Sequence, residues 1–359
     1  VSFSTHLPTL LAEARIPRRL HRPALHEYLR FLDIAAPTTI YEGVHAVEAG
    51  TLLRSVAGGP LQAVPLTKGT DAAIPAMVFD ATVTRLDQLL GDGISARLAG
   101  STRPAAFLSS GIDSSLICAI ARRHRPDTVA LTVGFDGSDF DESPAAARVA
   151  GHLGLRHQVL RFGQADVASA FERLATTLEQ PMADPATPVT VLAFEHALRH
   201  HDAVLDGTGA DEALGAMPPR HQRLAVEYGA RIPPALRRSL HRLLLGVPGL
   251  AAYARILDFE DAPEPLIRWH GFRRPEIEAL CGEPVSFADT TFYRTFARFA
   301  PGAHLERFTA LTNAMPCDRL NQATLATAAP IRYPFWDHAT ERLLRQLRTE
   351  YRHLPGQPK

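Results

Sequence analysis

At 359 residues the chain is long enough for about two domains, and 46% hydrophobic content suffices for real cores. Its 38 basic and 38 acidic residues cancel, which argues against a nucleic-acid surface or a strongly charged partner. No apolar run reaches the roughly 18 residues of a membrane span and no signal peptide opens the chain, while Cys118, Cys281 and Cys317 are widely spaced and read as free thiols; a cytoplasmic protein is expected. Lysine occurs only at Lys68 and Lys359. The abundant arginine accompanies high Ala and Pro content, reads as GC-rich coding, and is no sign of an anionic ligand.

Residues 1–75 carry one helical stretch, about Arg22 to Leu32, where Leu25, Tyr28, Leu29 and Leu32 recur at helical spacing. A hairpin-like piece follows around Gly50. This is thin material for a domain of its own. A helix is predicted near Pro75–Leu98, its apolar face including Met77, Val78, Leu86, Leu89 and Leu90. From Ala105 the pattern alternates. Strands are predicted at Ala105–Leu108, Thr128–Phe135, His157–Arg161 and Ala203–Leu205. Between them lie helices at Ser114–Arg123, Glu142–Leu153, Asp166–Leu178 and Pro188–Arg199. Apolar strands alternating with helices predict an α/β fold with a doubly wound parallel sheet. After Pro218 the chain reads as helical and proline-interrupted, and is expected to pack against that sheet. His200, His201 and His221 form no metal box.

The segment Ser109-Ser110-Gly111-Ile112-Asp113-Ser114-Ser115 sits between a predicted strand and a predicted helix. Such a loop points backbone N–H groups and hydroxyls at the positive end of a helix, which suits polyphosphate. The dipole contributes only about 0.3–1 kcal/mol per charge, so hydrogen bonds must supply most of the affinity. Asp113 is out of place in an anion cradle unless a cation lies between it and the phosphates, and Mg²⁺ meets that need. The simpler alternative is an ordinary turn whose Asp caps the helix. The loop is not a Walker A loop, since no lysine lies near it. A second loop, Asp206–Glu212, also follows a predicted strand, so the two can share one crevice at the carboxyl edge of the sheet.

Six segments in order resemble the synthetase domain of glutamine-dependent asparagine synthetase, a member of the ATP pyrophosphatases. They are Leu108–Ser115, then Thr132–Phe135 with Phe140-Asp141-Glu142-Ser143, then Ala147–Ala150 with Leu153–His157. Glu179–Pro185 with Thr187-Pro188, Asp206–Glu212 and Ile331–Asp337 complete the set. Thr38–Val44 and Glu48–Gly50 look like the end of that family's glutaminase domain. The resemblance implies an adenine nucleotide α-hydrolase-like fold over residues 76–359, with residues 1–75 as a glutaminase-domain remnant.

In that family a carboxylate attacks ATP to give an acyl-adenylate and pyrophosphate, and an amine or ammonia then forms the amide. Carried over, Leu108 and Val133 would contact adenine or ribose, and Ser109, Ser110, Gly111, Asp113, Ser114 and Ser115 would hold the pyrophosphate. Asp206 and Gly207 would approach the nucleotide, while Asp113 and Asp211 would hold Mg²⁺. No catalytic residue is assigned. Thr208 stands where the family places a glutamate, Pro330 where it places another, and Asn321 where an Asp is common.

The family's catalytic lysine belongs to a loop beyond Lys359, so the chain reads as clipped at both ends. Neither glutamine hydrolysis nor completed amide formation is expected of it. An AMP-forming amide ligase is the leading expectation, acting on aspartate or on a specialised acid, as do the β-lactam synthetases and lasso-peptide macrolactam cyclases. Thr208, Pro330 and the aromatic Tyr333–Trp336 stretch lean toward the specialised acid, while the greater commonness of asparagine synthetases leans toward aspartate. A precursor peptide or separate ammonia source would then be a partner, and a catalytically inactive nucleotide-binding remnant is the alternative.

Overall fold

The computed structural model describes residues 2–13, 15–56, 58–66, 78–135, 141–178, 180–254, 256–267, 271–314, 319–328 and 331–352. Lys68, Met77, Phe140, Glu179, Cys317, Pro330 and Lys359 lie outside the described residues. The chain divides into two compact units. One comprises Val1–Asp71, Glu179–Ala183 and Ala216–Pro316; the other comprises Ala72–Leu178, Asp184–Gly215 and Cys317–Lys359. The first unit thus joins the helical stretch 216–316 to the N-terminal residues.

The reason is visible in the first unit. Helix Arg22–Phe31 delivers Phe31 into a core with Phe287, Phe292, Leu266, Ile267, Ile277 and Leu311. The Phe31 and Phe292 rings lie 5.1 Å apart, and burying several such side chains outweighs the cost of ordering a distant segment. The helix is wrapped so fully that His26, Glu27 and Arg30 are buried as well. An antiparallel hairpin, β1 (Thr51–Arg54) and β2 (Gln62–Pro65), accounts for the signal around Gly50.

Glu27 is only 4% exposed, and burial pushes its carboxyl up to about 7, against the opposing hydrogen bond from Ala35 N–H and the charge of Arg294. The folded state therefore holds a proton that an unfolded Glu releases near 4.5. Stability from this group is full below about 4.5 and declines as the pH rises to about 7, by an amount on the order of 3 kcal/mol. Glu27→Gln is expected to flatten that decline and to raise stability at pH 8. Urea unfolding of both proteins across pH 4–8 checks this, and parallel curves would exclude it.

The second unit is built on a five-stranded parallel sheet in the order β5-β4-β3-β6-β7. The strands are β3 (Pro104–Phe107), β4 (Val129–Gly134), β5 (Arg156–Arg161), β6 (Ala203–Leu205) and β7 (Ile331–Arg332). Alternation along the strands sends Ala106, Ala130, Ala203 and Leu205 to one face, against Leu90, Ile94, Ile117 and Ile120 of helices Phe79–Leu98 and Ile112–His124. Ala105, Val129, Leu131 and Val204 face the other way, onto helix Thr187–His200. Helices on both faces make the sheet doubly wound, as its apolar runs predict. The sequence reading did not anticipate β7, whose two residues pair with Val204 and Leu205. No described helix is long and apolar enough to cross a membrane.

Candidate functional site

Three loops leave the carboxyl ends of β3, β6 and β7, which are neighbours in the sheet. The base of the first is fixed by β4. Leu108 N–H donates to the Leu131 carbonyl at 2.8 Å, and the Thr132 hydroxyl donates to the Leu108 carbonyl at 2.6 Å. That hydroxyl in turn lies 2.9 Å from His157 Nε2 on β5. With its proton committed to Leu108, it accepts from Nε2–H, so three strands set the point where the loop begins. The Leu108 side chain is 2% exposed and packs into the core beneath, forming a floor to the site. Val133 is half-buried at the end of β4 and packs on the opposite face.

The loop then spends most of its hydroxyls on itself. Ser109 N–H donates to Ser114 Oγ at 3.0 Å, the two hydroxyls meet at 2.8 Å, and Gly111 N–H donates to Ser109 Oγ at 3.0 Å. Ser115 Oγ donates to the Gly111 carbonyl at 2.7 Å. These bonds preorganise the turn. The donors left for a ligand are the first-turn N–H groups of helix Ile112–His124, which no helical carbonyl can accept. Ser110 behaves differently, bonding out of the loop to Glu142.

β3 and β6 run parallel in register, Pro104 opposite Ala203 and Ala106 opposite Leu205, so the second loop emerges beside the first. Asp206 N–H donates to the Arg332 carbonyl at 2.9 Å, and Asp206 Oδ1 accepts from Thr208 N–H at 2.8 Å. At Gly207 the loops touch. A Cβ there would stand 2.9 Å from Ser114 Cα and N and 3.1 Å from the Asp113 carbonyl carbon. Asp211 follows in the first turn of helix Ala210–Leu214 and is exposed. Asp113 and Asp211 thus occupy adjoining loops on one edge of the sheet.

The third loop supplies an aromatic wall. Gly209 has φ +112°, and a Cβ there would be 2.5 Å from Trp336 Cδ1, so the indole lies against the second loop. Tyr333 packs against Trp336 with ring centroids 4.4 Å apart and planes tilted by 39°, and Trp336 remains 45% exposed. Burial, and then the Asp206 charge, hold the Tyr333 phenol above its ordinary range. Asp337 caps helix His338–Arg345 by accepting from Ala339 N–H and pairs with Arg97 at 3.3 Å.

Cys118 is fully buried, away from solvent and substrate. Burial first, and the Asp206 charge second, push its thiol up to about 12. Sequence reasoning passed over the spacing of His196 and His200, one helical turn apart with rings 4.4 Å apart. Even so, no group of three or more His, Cys, Asp or Glu is placed to hold a metal among the described residues. Asp113 and Asp211 are two hard oxygen donors on loops in contact, a set that fits Mg²⁺ when phosphate oxygens and water complete the shell. Thr132 and Trp336, which shape the edge, carried no signal beyond an ordinary strand residue and an aromatic in a short motif.

The fold and these loops define an α/β protein whose strand-end loops converge on one edge of a doubly wound sheet. The chain belongs to the asparagine synthase family, whose family model matches residues 85–359. It is 29% identical over 231 residues to a Mycobacterium tuberculosis chain named for glutamine-hydrolyzing asparagine synthetase, covering 64% of this chain and 35% of that one. It is 24% identical over 248 residues to asparagine synthetase (glutamine-hydrolyzing) 1 of Bacillus subtilis, covering 69% and 39%. This chain therefore spans little more than a third of the length of these relatives. Among solved structures, it is similar to the NMN synthetase of Francisella tularensis, at 17% identity and a TM-score of 0.32, covering 68% of this chain and 97% of that one.

Proposed function

We propose that this chain is the ATP-activating part of an AMP-forming amide ligase. The observation that carries the reading is the contact at Gly207, which sets the pyrophosphate-type loop against the loop bearing Asp211. Asp113 and Asp211 would hold Mg²⁺, which supplies charge neutralisation between phosphates when bound. The first-turn N–H groups of helix Ile112–His124 would bind the β- and γ-phosphates of ATP, and the backbone around Asp206 and Gly207 would approach the nucleotide. A substrate carboxylate oxygen then bonds to the α-phosphorus as the bond to pyrophosphate breaks. An amine or ammonia bonds to the acyl carbon, AMP leaves, and the amine gives up its proton.

The acid is read as specialised, because a carboxylate base is absent at Thr208 and an exposed indole stands beside that loop at Trp336. A hydroxyl cannot act as a carboxylate base near neutral pH. Aspartate, which would make the product asparagine, gains nothing from such a wall.

Exchange of labelled pyrophosphate into ATP separates these readings. With Mg²⁺ and a panel of aspartate, aromatic acids and peptide carboxylates, the expected result is exchange that depends on an acid other than aspartate. Exchange with aspartate alone would favour asparagine formation. ATP binding without exchange would favour a nucleotide-binding remnant, and failure to bind ATP would refute the assignment altogether.

A further inference from the structure

We propose that Glu142 is the internal occupant of the anion cradle, and that it makes this loop accept polyphosphate as a metal complex in preference to the free anion. The inference rests on the nucleotide-site reading above. Glu142 follows Asp141 in the segment after β4, at the start of helix Ser143–Leu153. A helix start has one capping position, and one side-chain oxygen ordinarily serves it. Here the work is divided. Asp141 accepts from both Ser143 N–H and the Ser143 hydroxyl at 3.0 Å, which holds its carboxyl below the usual range.

Glu142 makes no side-chain capping bond. Its Oε2 instead reaches across to the first loop and accepts from both Ser110 N–H and Ser110 Oγ, each at 3.2 Å. The neighbouring serines are tied up within the turn, so Ser110 is where the cradle presents a paired N–H and O–H to an anion. A carboxylate bound to both donors fills the position a phosphate oxygen would take. Ser110 and Glu142 are both exposed, so the contact can be displaced without opening the core.

The electrostatic consequence is selective. A free polyphosphate must displace one negative charge and then remain beside it, and like charges at this range disfavour each other. A phosphate that arrives with Mg²⁺ brings the cation that offsets both carboxylate and phosphate. Glu142 therefore weakens binding of the bare anion far more than binding of its Mg²⁺ complex.

The test is calorimetric titration of inorganic pyrophosphate into the full chain and into Glu142→Gln, with Mg²⁺ and with chelator. Gln keeps the acceptor for Ser110 and removes the charge. Metal-free pyrophosphate is expected to bind the variant about tenfold more tightly than the wild type, the size expected of one charge-assisted hydrogen bond. The Mg²⁺ complex should change much less. Unchanged metal-free affinity would overturn the proposal. So would loss of binding confined to the Mg²⁺ arm, which would make Glu142 a metal ligand. If the wild type binds pyrophosphate in neither arm, the nucleotide-site reading itself falls.

Discussion

Asp113→Asn is expected to weaken Mg²⁺-dependent ATP binding by about a hundredfold while leaving the unfolding midpoint nearly unchanged. Asp113 lies in the first turn of helix Ile112–His124, whose N-cap, Gly111, has no side chain to cap it. If the carboxyl served only the helix, Asn at the same position would preserve folding and ligand binding together. If it holds a cation between itself and phosphate, removing the charge removes a ligand whose contribution no hydrogen bond replaces. The loss should be confined to titrations with Mg²⁺; in chelator, where Asp113 only repels the phosphates, the variant should bind at least as well as the wild type. Equal ATP affinity of variant and wild type in Mg²⁺ would exclude Asp113 from the metal site.

Gly207→Ala is the second substitution with a large expected effect. Its methyl group would lie 2.9 Å from Ser114 Cα and N, and backbone atoms cannot rotate aside as a side chain can. The loops must part. Overpacking of this kind costs about 1–3 kcal/mol, and the separation should lower ATP affinity by at least about tenfold. Gly151, in helix Ser143–Leu153, offers the matched control, since a Cβ there meets nothing within 4 Å. Ala at 151 should raise stability by about 0.5–1 kcal/mol and leave ATP binding alone. Chemical denaturation and ATP titration of the two variants side by side check the pair. A Gly207→Ala protein that binds ATP like the wild type would mean that the contact between the loops is incidental.

The parallel sheet was legible because buried strands such as Val129–Gly134 leave an apolar signature, broken there only by Thr132, between helical segments. That the first two loops share one edge was legible because each directly follows a predicted strand of a parallel sheet, whereas the pairing of β3 with β6 that sets them side by side is a property of the structure. β7 was not legible, since two residues are too few for any periodicity, and its pairing depends on an edge offered by β6. The destination of residues 216–316 was equally hidden. It rests on long-range packing of Phe31 against Phe287 and Phe292, and no local pattern carries that contact. The burial of His26, Glu27 and Arg30 ran against the apolar spacing of Leu25, Tyr28 and Leu29, because the first unit encloses that helix from more than one side. At the site, residue types pointed to an anion cradle, yet the internal bonding of its serines and the reach of Glu142 are properties of geometry that composition does not encode.

The pairing of β6 with β7 also bears on how the protein is made. β6 ends at Leu205 and β7 begins at Ile331, and between them the chain leaves the second unit at Gly215 and rejoins it at Cys317. At ribosomal speeds of about 5–20 residues per second, some 6–25 seconds separate synthesis of the strand from arrival of its partner. During that interval the nascent sheet ends at β6 with its last hydrogen-bonding edge open, and Gly209 awaits the indole that will cover it. This edge of the sheet is thus completed only after the first-unit segment that interrupts it has been made. A ribosome that stalls shortly before residue 331 would leave the first two loops in place on a sheet that still lacks its wall.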